Sequence, residues 1–226
     1  MLKIYATPLS ANGRKVLAVS RHLGLNAEIH EVNVYRGEGR TPQYLAINPS
    51  GKIPTLIDGD FVLSESNAIL LYLAEAHGAN QLWSSDPKER GRIAQWLFWE
   101  SAHWQPTLIG FLSELVGHRM LPERVPKPQQ APDWNSVAVQ PILNTLEKGL
   151  SANAFLAGSQ ASIADFVVAG MTTYFRVANF PFQRFPKIAD WYVRLESFES
   201  WRDTASPLWS SRPSDFDQGG SLVPAY

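Results

Sequence analysis

Ser10 is a hydroxyl-bearing residue at a predicted junction between a strand and a helix. The sequence pattern predicts the strand over residues 3–5 and the helix from residue 11 to about residue 23. At such a junction, the serine hydroxyl and the unpaired amides of the first helical turn can both donate hydrogen bonds to an anion such as a thiolate. Thr7 and Asn12 lie within a turn of Ser10 and are alternative donors. The other interpretation of Ser10 is an ordinary helix cap.

A second group of polar residues follows a predicted β-hairpin. Asp58-Gly59 is typical of a two-residue turn and predicts strands at residues 55–57 and 61–63. The polar residues 64–67 then cap a predicted helix over residues 68–76, which Gly78 ends. A helix that begins where a sheet ends can receive an anion at its free amides. Glu65 and Ser66 are therefore candidate binding residues, and the alternative is a plain capping pair.

An aromatic cluster is predicted on a later helix. Trp96, Trp99 and His103 recur at helical spacing, with Trp104 and Phe111 nearby, and are able to line an apolar pocket. Packing in a core or at a subunit interface is the alternative for each of them. His103 belongs to no cluster with metal-ligand spacing and to no nucleophile triad, so we predict no metal site.

The composition is nearly neutral and lacks cysteine. The 226 residues contain 20 Lys and Arg against 21 Asp and Glu, without a run of like charge, which argues against binding to nucleic acid or to an anionic membrane. The absence of cysteine excludes disulfides and a cysteine nucleophile, so any sulfur chemistry must come from a bound molecule. No stretch reaches about 18 uninterrupted apolar residues, and we expect a soluble, cytoplasmic protein.

The order of the predicted elements indicates two units of different type. A second strand at residues 27–34 and a short helix near Tyr44 complete a β-α-β-α-β-β-α order, which is thioredoxin-like. We predict an α/β + all-α fold. It comprises a thioredoxin-like domain with a mixed four-stranded sheet at residues 1–78, a linker at 79–86, an all-helical domain at 87–211 and an extended tail at 212–226.

Three features stand out in the predicted helical domain. Asp86 followed by Pro87 predicts the start of a helix that runs toward Val116, with Pro106 kinking it. The spacing of Ser162 and Asp165 predicts a capping box, so we assign Asp165 a role in folding. Residues 121–132 are predicted to form a loop because they are rich in proline.

In this order and spacing, these segments resemble the glutathione transferase family, in its serine-type, theta-like form. The resemblance covers about residues 1–200, and no single motif is decisive. The matching segments are residues 5–10 (YATPLS), 48–52 (NPSGK), 53–54 (IP, similar to the family's cis-proline element), 65–70 (ESNAIL, similar to its glutamate-serine helix start) and 162–165 (SIAD).

The resemblance implies where glutathione would bind. The exposed backbone of Ile53, ahead of Pro54, would pair with the peptide backbone of glutathione as an added strand does. Glu65 would face the ammonium of the γ-glutamyl end, and Ser66 would receive its carboxylate.

The outer end of this implied site departs from the family pattern. Lys52 and Arg40 are the candidate partners for the glycyl carboxylate, although charged loop residues are often simply solvated. Related sequences often carry a histidine just before this basic position, where this chain has Gly39.

The resemblance further implies an enzyme in which glutathione is the co-substrate. The transferase would conjugate the glutathione thiol to an apolar electrophile, a detoxification reaction, with Ser10 stabilising the thiolate, and the family's usual homodimer is expected. Two alternatives stay open. One is a glutathione-dependent disulfide reductase or peroxidase in which Asn12 or Thr7 is the donor, and the other is a non-catalytic interaction module with the same two domains.

Overall fold

The computed structural model describes residues 1–78 and 81–210, and its first part is built on a four-stranded sheet. The strands are β1 (Leu2–Ala6), β2 (Glu28–Glu31), β3 (Thr55–Asp58) and β4 (Phe61–Ser64), in the spatial order β2-β1-β3-β4. β1 pairs with β2 in parallel, whereas β1 with β3 and β3 with β4 are antiparallel. The sheet is therefore mixed.

Three helices accompany this sheet: α1 (Ala11–His22), α2 (Pro42–Ile47) and α3 (Ser66–His77). The parallel β1-α1-β2 crossover followed by α2, the β3-β4 hairpin and α3 is the predicted order, so the thioredoxin-like fold is confirmed. Gly59 occupies the hairpin turn with a φ of 62°, a left-handed conformation that glycine adopts without strain.

The second strand is shorter than predicted. Residues 27–34 alternate in polarity, but the chain leaves the sheet after Glu31 and forms a 3-10 turn over Val34–Arg36. The Asn33 side chain accepts a hydrogen bond from the Arg36 amide and so caps this turn. An Asx-type cap offers the backbone a local alternative to sheet pairing, and it carries Tyr35 toward the start of α1.

The second part of the described chain is helical. Its α-helices are α4 (Pro87–Trp99), α5 (Gln105–Met120), α6 (Gln140–Gly149), α7 (Ile163–Ala169), α8 (Pro186–Glu196), α9 (Glu199–Arg202) and α10 (Pro207–Ser210). Residues 79 and 80 of the predicted linker and the predicted tail at 212–226 lie outside the described residues.

The long helix predicted from Pro87 is interrupted earlier than expected. α4 ends at Trp99, a π-helical turn spans Glu100–Trp104, and Pro106 lies in the first turn of α5. Proline has no N–H to donate and its ring crowds the preceding turn, so the ladder of hydrogen bonds widens just before it.

Helix α1 lies between the two parts and is bonded to both. Arg14 is buried, donates to the Thr173 hydroxyl and the Trp201 carbonyl, and lies 3.9 Å from the centre of the Trp201 ring. Burial lowers the pKa of Arg14 to about 10. The start of α1, where Ser10 lies, is therefore fixed by side chains from the far end of the chain.

Candidate functional site

Ser10 caps α1 and also faces a cavity. Its hydroxyl oxygen accepts a hydrogen bond from the Gly13 amide at 3.4 Å, and its φ and ψ are those of an extended cap residue. The same side chain lines a cavity of about 380 Å³, here called the inner cavity, together with Tyr35 and Tyr174. Capping and donation to a ligand are compatible, because a hydroxyl accepts with its lone pairs and keeps one hydrogen to donate.

The two alternative donors are placed differently from each other. Thr7 is fully buried and its hydroxyl donates to the Glu31 carboxylate at 2.9 Å, so it does not line the inner cavity. Asn12 does line it, and its side-chain oxygen accepts from the Ser66 hydroxyl at 3.3 Å.

A larger depression of about 820 Å³, here called the edge cleft, runs between residues 48–54, residues 64–67 and residues 98–110. It contains Lys52, Ile53, Pro54, Glu65 and Ser66, so five predicted binding residues from two segments lie together. Asn12, Gln105 and Ile109 line both spaces, so the edge cleft and the inner cavity lie side by side.

The loop that carries Ile53 is held by side chains beneath it. The Lys52 carbonyl accepts from the Tyr44 hydroxyl at 2.7 Å and from the Asn48 amide at 2.9 Å. The Ile53–Pro54 bond is cis. Within the described residues, neither the N–H nor the C=O of Ile53 has a hydrogen-bond partner. A free donor and acceptor on one residue at a sheet margin are what an added peptide strand would pair with.

Glu65 and Ser66 form the start of α3 in a strained geometry. Glu65 has a φ of 68°, which is uncommon for a residue with a side chain, and it makes no side-chain capping bond. The helix therefore begins at Ser66 without the polar cap predicted from residues 64–67. Its first amides stay open to the edge cleft, and strain of this kind costs on the order of 1–3 kcal/mol and concentrates at functional sites.

The basic candidates are not equivalent. Lys52 lines the edge cleft, whereas Arg40 does not. The departure at Gly39 has a steric cause: a Cβ on Gly39 would lie 2.3 Å from the Gly51 carbonyl oxygen, and one on Gly51 would lie 2.7 Å from the Gly39 carbonyl oxygen. These two glycines allow the loops to touch, so this geometry has no room for a side chain at position 39.

A buried ion pair lies behind the cleft and was not predicted from the sequence. Lys15 on α1 and Glu100 are almost completely buried, and Lys15 Nζ lies 3.0 Å from a Glu100 carboxylate oxygen. Asn67 links them, accepting from Lys15 at 2.8 Å and donating to Glu100 at 2.9 Å. In the sequence, the only sign of this ion pair is that Lys15 and Glu100 each fall on the apolar face of a predicted helix. Because Asn67 follows Ser66, the pair holds the start of α3 between α1 and α4.

The four aromatic candidates do not line either space. Trp104 is fully buried and its indole donates to the Val168 carbonyl, and Trp99 stacks on it at 5.5 Å between ring centres. Phe111 packs against Trp134, and His103 is exposed. The π-helical turn rotates the helix after Glu100, so Gln105 and Ile109 face the cleft instead, and Phe98, which precedes the turn, also lines it.

The rest of the described chain offers no competing chemistry of the kinds sought. A cavity of about 640 Å³ between residues 81–85 and 155–162 contains none of the candidate site residues. Among residues 1–78 and 81–210, no cluster of three His, Asp or Glu could hold a metal ion. In the same part of the chain, no helix is long and apolar enough to cross a membrane.

A thioredoxin-like sheet with a helical second part, and a cleft at the junction of the two, define the class of protein. Comparison with models of known protein families identifies the family within this class. The model described as Glutathione S-transferase, N-terminal domain, matches residues 4–81, and that described as Glutathione S-transferase, C-terminal domain, matches residues 136–194. This chain belongs to the glutathione S-transferase family and is an enzyme of the transferase class.

Individual relatives agree over nearly the whole chain. Glutathione S-transferase F10 of Arabidopsis thaliana is 30% identical over 212 residues, covering 91% of this chain and 97% of its own. Glutathione S-transferase theta-2B of Homo sapiens is also 30% identical, covering 87% of this chain and 81% of its own. The crystal structure of glutathione transferase F2 from Populus trichocarpa superposes with a TM-score of 0.79 at 26% identity, over 90% of this chain and 97% of that one.

Proposed function

We propose that this protein binds glutathione in the edge cleft and conjugates its thiol to an apolar electrophile held in the inner cavity. The observation that carries this proposal is that the two spaces adjoin at Asn12, which lines both, with Ser10 lining the inner one. The peptide part of glutathione would lie along Ile53, its γ-glutamyl end on Ser66, and its sulfur near the start of α1. The inner cavity beside Ser10 is lined largely by apolar groups, including Leu112 and Met171.

The residues act on the thiol by orientation and electrostatics. A free thiol has a pKa of about 8.5, so donors aimed at the thiolate raise the reactive fraction near neutral pH. The Ser10 hydroxyl and the amides of the first turn of α1 are such donors. The thiolate then attacks the electrophilic carbon and forms the carbon–sulfur bond. In a substitution, the bond from that carbon to the leaving group breaks and the leaving group departs with the electron pair; in an addition to an activated double bond, the π electron pair moves to the neighbouring atom, which takes a proton from water.

The test is the Ser10→Ala variant. Loss of one preorganised donor is expected to lower kcat by on the order of 100-fold, with glutathione affinity nearly unchanged, because the donor acts on the sulfur and not on the peptide. Steady-state kinetics with a chloroaromatic acceptor and calorimetry with glutathione measure the two effects. Because Ser10 also caps α1, its loss should cost about 1 kcal/mol of stability, which a melting curve monitors.

Thr7→Val is the matched control, since the Thr7 hydroxyl is bonded to Glu31 and faces away from the cavity. It is expected to keep wild-type turnover. Wild-type kcat in Ser10→Ala would contradict the role of Ser10 and would move it to Asn12.

One observation favours keeping a second candidate function. Asn12 lines both spaces and touches the Ser66 hydroxyl, so its amide is an alternative donor to the sulfur. In a glutathione-dependent disulfide reductase, Asn12 would take the role of Ser10. Turnover of a mixed disulfide that survives Ser10→Ala and is lost in Asn12→Ala would favour this function over conjugation.

A further inference from the structure

One face of α5 lines the inner cavity, and a glutamine stands at its beginning. Apart from Gly117, the residues of α5 that line this cavity have the spacing of a single helical face: Gln105, Ile109, Leu112, Ser113 and Val116. Most of these side chains are aliphatic, and Ser113 donates its hydroxyl hydrogen to the Gly110 carbonyl at 2.8 Å. Gln105 is therefore the residue of this face that can offer a hydrogen-bond donor to a bound molecule.

The side-chain amide of Gln105 has no partner in the described part of the chain. Gln105 is half-buried, and within residues 1–78 and 81–210 its side chain makes no hydrogen bond. A primary amide carries two N–H donors and one carbonyl acceptor. These groups are available to a molecule that fills the inner cavity.

The backbone of Gln105 is fixed although its side chain is unbonded. Its N–H donates to the Glu100 carbonyl across the π-helical turn, and the Glu100 side chain is paired with the buried Lys15. Trp104, the preceding residue, is fully buried and donates to the Val168 carbonyl. The side chain of Gln105 therefore extends from a fixed point, which reduces the conformational entropy lost when its amide contacts a ligand.

Gln105 and Ser10 bring donors to the inner cavity from different elements. Ser10 lies at the start of α1, where the sulfur of glutathione is proposed to lie, whereas Gln105 lies at the start of α5. Gln105 also lines the edge cleft, so it lies where the two bound molecules would meet. An acceptor attacked by a sulfur at α1 can thus receive a hydrogen bond from α5 during the same step.

We propose that Gln105 is a catalytic residue that donates a hydrogen bond to an oxygen atom of the acceptor, and that the favoured acceptors are α,β-unsaturated carbonyl compounds. The inference rests on the proposed function, since it requires a glutathione thiolate beside Ser10. The thiolate attacks the β-carbon and forms the carbon–sulfur bond, while the π electrons shift toward the carbonyl oxygen and form an enolate. The Gln105 N–H stabilises the charge on that oxygen, and the α-carbon then takes a proton from water.

Gln105→Met removes the amide group and keeps the length and the helix propensity of the side chain. Two acceptors of similar size reveal the effect: benzylideneacetone, an α,β-unsaturated ketone, and benzyl chloride, whose charge leaves on chloride and not on an oxygen. The ratio of kcat for the ketone to kcat for the chloride should fall about 10- to 100-fold, since the lost hydrogen bond is to a charged atom. The pKa of the bound thiol, read from thiolate ultraviolet absorbance, should stay at the wild-type value because Ser10 is intact.

Gln105→Glu is the second variant, and it keeps the size of the side chain while replacing the donors with a carboxylate. It should lower the ratio further than Gln105→Met, because a negative charge beside the forming enolate opposes it. Gln183→Met is the matched control. It makes the same change at an exposed position of the 3-10 turn Phe182–Arg184, outside both spaces, and should leave the ratio unchanged. Melting curves of all three variants separate a loss of folded protein from a change in the site.

The pH dependence separates this proposal from the one on which it rests. The fall in the ratio in Gln105→Met should be the same at every pH, because an amide does not titrate. The loss in Ser10→Ala should instead be equal for both acceptors and should shrink as pH rises, because the thiol then ionises without help.

Tyr35 also brings a hydroxyl group to the inner cavity and is the competing donor. An unchanged ratio in Gln105→Met, or a fall of the ratio in Tyr35→Phe in its place, would overturn the role of Gln105 alone. An unchanged thiol pKa in Ser10→Ala would overturn the proposed function.

Discussion

At the scale of single residues, Glu65 is a charged residue with a strained backbone conformation. Its φ of 68° is maintained although it makes no capping bond, and its side chain is exposed at the edge cleft. Such strain persists only where the surrounding structure imposes it, here between β4 and the buried start of α3. Glu65 and Ser66 line the cleft as neighbours, so a carboxylate that can bind a cation and a free backbone amide that can bind an anion come from adjacent residues. The α-ammonium and α-carboxylate of a γ-glutamyl group have this arrangement.

Glu65→Gln should weaken glutathione binding about 10-fold, since a hydrogen bond to a charged group contributes about 1.5–3 kcal/mol and the amide keeps part of it. Calorimetry at low ionic strength measures the change. A glutathione analogue that lacks the α-amino group is the control ligand. It should bind the wild type and the variant equally, and a similar loss for both ligands would contradict a direct contact between Glu65 and the ammonium.

At the scale of elements, α1 is the helix on which the site depends. Its first turn faces the inner cavity, Arg14 ties it to the C-terminal helices, and Lys15 ties it to the π-helical turn at Glu100. Desolvation by burial lowers the pKa of Lys15, while the Glu100 charge acts in the opposite direction. A buried cation of this kind stays charged only because its partner is beside it.

Lys15→Met should reduce the free energy of unfolding by about 3–5 kcal/mol, because it leaves the Glu100 carboxylate buried and unpaired. Urea denaturation measures the loss. The double variant Lys15→Met/Glu100→Gln removes the orphaned charge and should recover more than half of it. Arg21→Met is the control on the same helix: it breaks an exposed ion pair with Asp203 and should cost less than about 1 kcal/mol. Equal losses in both single variants would contradict the role of the buried pair.

At the scale of the whole molecule, the exposed aromatic side chain on α4 suggests a partner surface. Phe98 is 76% exposed on the rim of the edge cleft, and Ile109 beside it is 51% exposed. We propose that this face is covered by a second copy of the chain. In a twofold dimer, the Phe98 side chain of each copy would be buried in the interface. Each of these two burials would contribute about 1.5–3 kcal/mol to the free energy of association.

Phe98→Ser should shift the protein from dimer to monomer in sedimentation velocity, because two buried aromatic side chains are lost per dimer. Val137→Ser is the control, since Val137 is 89% exposed in the segment before α6 and lines neither space. It should leave the dimer intact. A wild-type protein that sediments as a monomer, or a dimer that survives Phe98→Ser, would contradict this assignment.

Local rules determined the features that depend on residues close in the chain. Ser10 as the cap of α1, Gly59 in the hairpin turn, and Asp86 with Pro87 at the start of α4 are all found where the sequence places them. Asp165 accepts from the Ser162 amide within its own turn, as the spacing predicts. Each needs only contacts over a few residues, and the preference of a side chain for a cap or turn is enough to specify them.

The tertiary structure alone decided which distant side chains share the site. Tyr35 and Tyr174 line the inner cavity with Ser10, Lys15 meets Glu100 through Asn67, and Trp104 turns into the core and away from the cleft. No local pattern specifies these contacts, because helical spacing gives the face of a residue but not what packs against it. The π-helical turn shows the cause: a change of one hydrogen-bond step before Pro106 rotates the following helix, and with it the lining of the cleft.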